Sequence, residues 1–175
     1  MKRSGELERS AAIRAAEFMA AAARTAPKGR GIDNIEVILI DDESEKKKLI
    51  STMEAIAAKE NRPSLARDAG NISLSPAIII IGVRSNPAGL NCGFCGYSTC
   101  DNLKKTTGIC SFNSIDLGIA TGSAIEIASS FHMDNRIMYS VGRAALDLKL
   151  FTPDVKEALG IPLSVTGKNP YFDRK

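Results

Sequence analysis

All four cysteines of this 175-residue chain, Cys92, Cys95, Cys100 and Cys110, fall in one stretch, NCGFCGYSTCDNLKKTTGIC, with the spacing C-x2-C-x4-C-x9-C. A cubane of iron and sulfide needs four thiolates approaching from different directions, and short gaps let a single loop wrap around it. Gly93 and Gly96 follow the first two cysteines, where glycine permits the tight turns that bring backbone N–H groups close to sulfur. A [4Fe-4S] core bound by four thiolates is anionic, and Lys104, Lys105 and oriented amides are the groups at hand to offset that charge. Two other chemistries use the same residues. Four thiolates can close a tetrahedral zinc site that staples the loop, although such sites usually join two short knuckles and only the first gap here is of that type. Cys92 and Cys95 could form a dithiol redox pair, but this reading leaves Cys100 and Cys110 unexplained. Phe94 and Tyr97 lie among the cysteines, placed to shield a centre from water or simply to hold the loop down.

The flanking segments must position this loop. Ala77 to Val83 (AIIIIGV) reads as a buried strand entered after Pro76 and left through RSNPAGLN, which leads directly to Cys92. After Cys110, Ser114 to Phe131 reads as a central helix with Ile115, Gly118, Ile119, Gly122, Ile125 and Ala128 along one packed stripe. An alanine-rich helix spans about Gly5 to Ala26, stopped by Pro27 and suited to close packing against a helix or a second subunit. Ile35 to Ile40 (IEVILI) has the pattern of a strand covered on both sides, and Asp41 and Asp42 read as N-capping charge for a helix to about Glu60. The remainder is read as a strand from Arg136 to Ser140, a short helix near Arg143 to Leu150, a helix from Thr152 to Gly160 and a last strand from Ile161 to Thr166. NPYFDR, residues 169–174, has the turn formers and aromatics of a docked end or a subunit contact. The chain therefore reads as one α+β domain, 1–175, with the cluster loop embedded at 91–111.

Composition agrees with a soluble globular protein, 44% apolar and 25% charged. The net charge of +3 is spread over 23 basic and 20 acidic residues, which gives no basic stripe for nucleic acid. Charges interrupt the first apolar stretch, and AIIIIGV is far shorter than the ~20 residues of a membrane span, so a cytoplasmic chain without membrane segments is expected. That compartment keeps thiols reduced and favours metal ligation over disulfides. His132, the sole histidine, sits near a helix end and leaves no Ser-His-Asp arrangement to assemble.

C-G-x-C-G-x-x-x-C, here Cys92 to Cys100, resembles the iron-sulfur motif of several redox proteins of anaerobes, and the whole chain resembles the prokaryotic family of uncharacterised ferredoxin-domain-containing proteins. In the redox modules the fourth cysteine often lies further along, so Cys110 departs most from the pattern; a three-cysteine cluster with an open iron is the variant this allows. AARTAPKGRGIDNIEVILI, SPAIIIIGV, SIDLGIATGSAIEIASSFHMDNRI and LGIPLSVTGKNPYFDR are similar, in order and spacing, to the FMN-dependent nitroreductase family. That resemblance implies a mixed central sheet wrapped by helices, a homodimer, and FMN at the subunit interface. Its phosphate would be met by cations among Lys28, Arg30, Lys168 and Arg174, although Lys28-Gly29-Arg30 stands where the family has an arginine- and serine-rich segment. The reading is an iron-sulfur protein with one [4Fe-4S] cluster that passes electrons to a flavin, a substrate or a redox partner protein. The alternatives are a zinc-stapled interaction protein and an FMN reductase using the cluster as a relay.

Overall fold

The computed structural model describes residues 1–172. In chain order it contains α1 (Ser4–Thr25), a 3-10 turn (Gly29–Gly31), β1 (Ile35–Ile40), α2 (Glu43–Glu60), α3 (Pro63–Ile72), β2 (Ala77–Arg84), α4 (Cys100–Lys104), α5 (Ser111–Ser130), β3 (Asp134–Asn135), α6 (Tyr139–Asp147) and β4 (Val155–Ser164). The strands form one sheet in the order β1-β2-β4-β3. Every pairing is antiparallel, where a mixed sheet was implied.

β2 is buried on both faces, and its two-residue period sorts the molecule into layers. Ala77, Ile79, Ile81 and Val83 face α1 and α5, while Ile78 and Ile80 face α2, α3 and α6. Ile78 to Ile81 are completely inaccessible, and four buried isoleucines contribute on the order of 10 kcal/mol. On the first side the contact is made of small groups: Ala12, Ala15, Ala16, Met19 and Ala23 of α1 meet Ala120, Ala124 and Ala128 of α5. Alanine at these positions lets the two helix backbones approach closely while keeping high helix propensity.

Asp42 is the N-cap of α2, accepting from the N–H groups of Ser44 and Glu45 as expected. Tyr171 is buried, and its hydroxyl lies 2.8 Å from that of Ser75, so the NPYFDR segment is docked as far as it is described. Four expectations are revised. β1 is an edge strand whose middle is half-buried, because only β2 pairs with it. No strand forms at the expected Arg136–Ser140: a two-residue strand, Asp134–Asn135, precedes it, Met138 makes one bridge to Gly160, and Tyr139 already starts α6. The helix expected at 152–160 is instead the first half of β4: Lys156, Glu157, Ala158 and Leu159 favour helix locally, but pairing with β2 overrides that weak preference. On α5 the buried face is Asn113, Asp116, Leu117, Ala120, Thr121, Ala124 and Ala128, whereas Ile115, Gly118, Ile119 and Gly122 are exposed. The helix α3, begun by Pro63 at its first turn, was not anticipated.

α6 lies so close to β4 that a Cβ on Gly142 would stand 1.8 Å from the Ala158 carbonyl oxygen. Gly142→Ala is therefore expected to lower the unfolding free energy by about 3 kcal/mol or more in urea denaturation, because backbone must move. Gly70→Ala, in an exposed helical site with open space around it, is expected to raise it by about 0.5–1 kcal/mol.

Candidate metal centre

The cysteine loop leaves the sheet at the end of β2 and returns at the start of α5, and side-chain amides tie the two roots together. The Asn86 N–H donates to Asn113 Oδ1 at 3.0 Å, and Asn113 Nδ2 donates to the Asn86 carbonyl at 3.0 Å. Asn86 Nδ2 in turn donates to Asn34 Oδ1 at 3.2 Å. Asn113 is almost wholly buried, so both bonds are shielded from water. Arg84, the last residue of β2, donates from Nε and Nη2 to Glu36 Oε1 at 2.9 and 2.6 Å. Burial pushes the Glu36 carboxyl upward, but hydrogen bonds from Thr152 and Arg84 outweigh it and hold the carboxyl below its ordinary value. This tie is thus fully present above pH 4.5 and is lost on acidification through the lowered value.

Within the loop, Gly89, Asn91, Gly93 and Gly96 all have positive φ, at 72°, 49°, 75° and 83°. Three glycines and an asparagine are the residues that tolerate such a run of left-handed turns. The coil folds Cys92, Cys95, Cys100 and Cys110 onto the wall of one small pocket, completed by Ala88, Leu90, Tyr97 and Phe112 among others. All four are free thiols: Cys92 is exposed, Cys95 and Cys100 are half-buried, and Cys110 is buried. Among the described residues no three His, Cys, Asp or Glu side chains are grouped as ligands of one ion.

Each cysteine has its own support. The Asn91 N–H points at Cys100 Sγ at 3.4 Å while the Cys100 N–H donates to Asn91 Oδ1 at 2.8 Å. The Cys110 carbonyl accepts from the N–H of Asn113 at 2.8 Å, which makes Cys110 the N-cap of α5. The first turn of this 20-residue helix, at Ser111 and Phe112, lines the pocket, and its positive end there favours negative charge. Tyr97 packs with Leu103 and Cys110, whereas Phe94 stacks on Phe112 at 5.9 Å yet stays 70% exposed. Tyr97 thus lines the inner side of the pocket, and Phe94 lies outside it against Phe112. Lys104 is paired with Asp101 at 3.1 Å.

Among the described residues, the cations expected around a flavin phosphate are not gathered in one place. Lys28 Nζ donates to the carbonyls of Ala23, Arg24 and Ala26, closing the C-terminal end of α1. Arg30 Nη1 donates to the Ala88 carbonyl at 2.6 Å. Both stand near the end of β2 that launches the loop. Lys168 follows β4 near Asn169, which bonds Asp134 at the opposite end of the sheet, and the eight residues of β2 separate those ends by ~23 Å. Arg174 lies outside the described residues. His132 is exposed at the C-terminal end of α5 with φ 55° and takes no part in the pocket. Asn86, Asn91 and Asn113 were not singled out from sequence. Their only local signal was the clustering of asparagine with glycine and proline around the cysteines.

The fold that carries this pocket is the nitroreductase-like α+β fold. A nitroreductase with bound FMN from Bacteroides fragilis is similar with a TM-score of 0.65 at 11% identity, covering 93% of this chain and 81% of that one. A nitroreductase with bound FMN from Desulfitobacterium hafniense matches at 0.61 and 16% identity over 99% and 85%. The hypothetical oxidoreductase YcnD of Bacillus subtilis matches at 0.59 and 15% identity over 89% of this chain, which spans only 58% of its length. In sequence, an uncharacterized protein of Archaeoglobus fulgidus is 41% identical over 169 residues, 91% of this chain and 90% of its own. Residues 106–174 match the family described as "Uncharacterized protein containing a ferredoxin domain (DUF2148)", a span that includes Cys110 but not the other three cysteines. The chain belongs to this family of ferredoxin-domain proteins.

Asn113→Ala removes both bonds of the amide clamp and leaves the Asn86 groups without partners. It is expected to lower the unfolding free energy by about 2–3 kcal/mol in urea denaturation of the metal-free chain.

Proposed function

We propose that Cys92, Cys95, Cys100 and Cys110 bind one [4Fe-4S] cluster and that the protein serves in electron transfer. The observation that carries this reading is the placement of four free thiols on the wall of one pocket. A cubane takes one thiolate on each of its four irons. The donors fit it: four thiols, a helix N-terminus at the pocket wall, and an amide N–H aimed at Cys100 Sγ. Bound there, the cluster supplies one-electron chemistry. This chain's residues bind and orient it, Tyr97 and Phe112 keep water from the inner side, and the exposed Cys92 side is where a redox partner gains access. No helix among the described residues is long and apolar enough to cross a membrane.

A flavin in addition to the cluster is the second reading, favoured by the FMN bound in the two nitroreductases of similar fold. Because Lys28 and Arg30 stand far from Lys168 in one chain, a phosphate site using both would be built between subunits. The exposed α5 face, Ile115, Gly118, Ile119 and Gly122, is the surface on which we place that subunit contact. The two glycines leave it flat enough for close helix approach.

Protein prepared without oxygen is expected to contain about four irons and four sulfides per chain, with broad visible absorption that bleaches on reduction. Stoichiometric zinc without iron overturns the assignment. Cys110→Ser is expected to cut the iron retained after desalting by more than half. Ile119→Glu is expected to shift the chain from dimer to monomer in sedimentation velocity and to abolish any micromolar binding of FMN, which wild-type dimer would show by fluorescence quenching.

A further inference from the structure

We infer that Arg30 is a positioning residue of the thiol pocket. This inference rests on the reading that the four cysteines hold the metal centre, and three independent features of the chain lead to it.

The first is backbone conformation. Arg30 has φ 58° inside the Gly29–Gly31 turn. The left-handed region is unfavourable by about 1 kcal/mol or more for a residue with a Cβ, so the surrounding structure holds Arg30 in it. The second is where the guanidinium goes. It donates at 2.6 Å to the carbonyl of Ala88, a buried residue that walls the pocket and packs with Leu103 and Cys110. The third is how the loop is shaped around it. The next residue, Gly89, turns with φ 72°, and a Cβ there would stand 3.1 Å from Arg30 Nη1. The bend that leads to Cys92 is therefore built against the guanidinium.

The turn that carries Arg30 is itself anchored, because the Gly29 N–H donates at 2.8 Å to Oδ1 of Asp116. Asp116 is buried on α5, the helix capped by Cys110. Arg30 thus joins the segment before Cys92 to the helix that begins at Cys110, and it fixes the two outer ligands relative to each other. Loss of the guanidinium leaves the Ala88 carbonyl without this donor and frees the wall between them.

Arg30→Gly separates the side chain from the backbone, since glycine adopts the same φ without cost. In the metal-free chain, alkylation of Cys110 by iodoacetamide, followed by peptide mass spectrometry, is expected to be about fivefold faster in R30G, within the range set by one hydrogen bond. Cys92, already exposed, is the internal reference and is expected to react at the wild-type rate. Arg30→Lys, which keeps the charge and one donor, is expected to restore most of the protection, and R30Q to fall between. In iron-loaded protein, R30G is expected to lose iron to a chelator several-fold faster and to shift the reduction potential of the bound centre. Wild-type Cys110 reactivity in both R30G and R30Q overturns the inference, as does equal acceleration at Cys92 and Cys110, which would indicate general loosening. If no iron binds to any form, the cluster reading fails, and the alkylation rates still decide the role of Arg30.

Discussion

β2 is inaccessible to water on both faces, and that burial constrains the placement of every other element. A strand of isoleucines covered above and below requires a helical layer on each side, and α1 with α5 on one face and α2, α3 and α6 on the other supply them. β2 ends before the cysteines begin, so the loop projects from the end of that inner strand at Arg84 and returns at the start of α5. A loop that leaves a rigid strand and rejoins a rigid helix has fixed ends, and this lets a flexible, glycine-rich coil present four thiols in a defined arrangement.

Rigidity at the roots of the cysteine loop comes from polar groups outside the set of four thiols. Asn113 treats the Asn86 backbone as a neighbouring strand would, giving and taking one hydrogen bond each. Asn34 extends the tie to the start of β1, and Glu36 with Thr152 holds Arg84 at the end of β2. Low water access at Asn34 and Asn113 strengthens the amide bonds and makes an unpartnered member there expensive. Buried amides of this kind are support for a site in the sense that metal ligands need oriented neighbours.

The two helices around the loop divide the remaining work. α5 contributes its N-terminal dipole and Cys110 to the pocket, its small-residue face to α1, and its isoleucine and glycine face to the outside. α4 is a single turn, capped by Thr99, whose purpose in the fold is to place Cys100 beside Asn91. The chain has a layered α+β frame similar to that of an FMN-bound nitroreductase, and its cysteine loop lies between β2 and α5.

Much of this was legible in the residues themselves. The cysteine spacing, the buried character of AIIIIGV, the α1 and α2 helices and the Asp42 cap each depend on local pattern, and local pattern survives folding. Long-range pairing decided the rest. Residues 155–160 favour helix by composition but are strand because β2 presents open backbone groups to them. The α5 stripe that carries Ile115 and Ile119 is exposed, because the alanine surface of α1 packs on the opposite face, at Ala120, Ala124 and Ala128. Asparagines 86, 91 and 113 look like turn formers in sequence, and their role as braces emerges only when residues 27 positions apart are brought within hydrogen-bond distance. Chemistry was written in the types and spacing of four residues, whereas their geometry was decided by contacts that no local window contains.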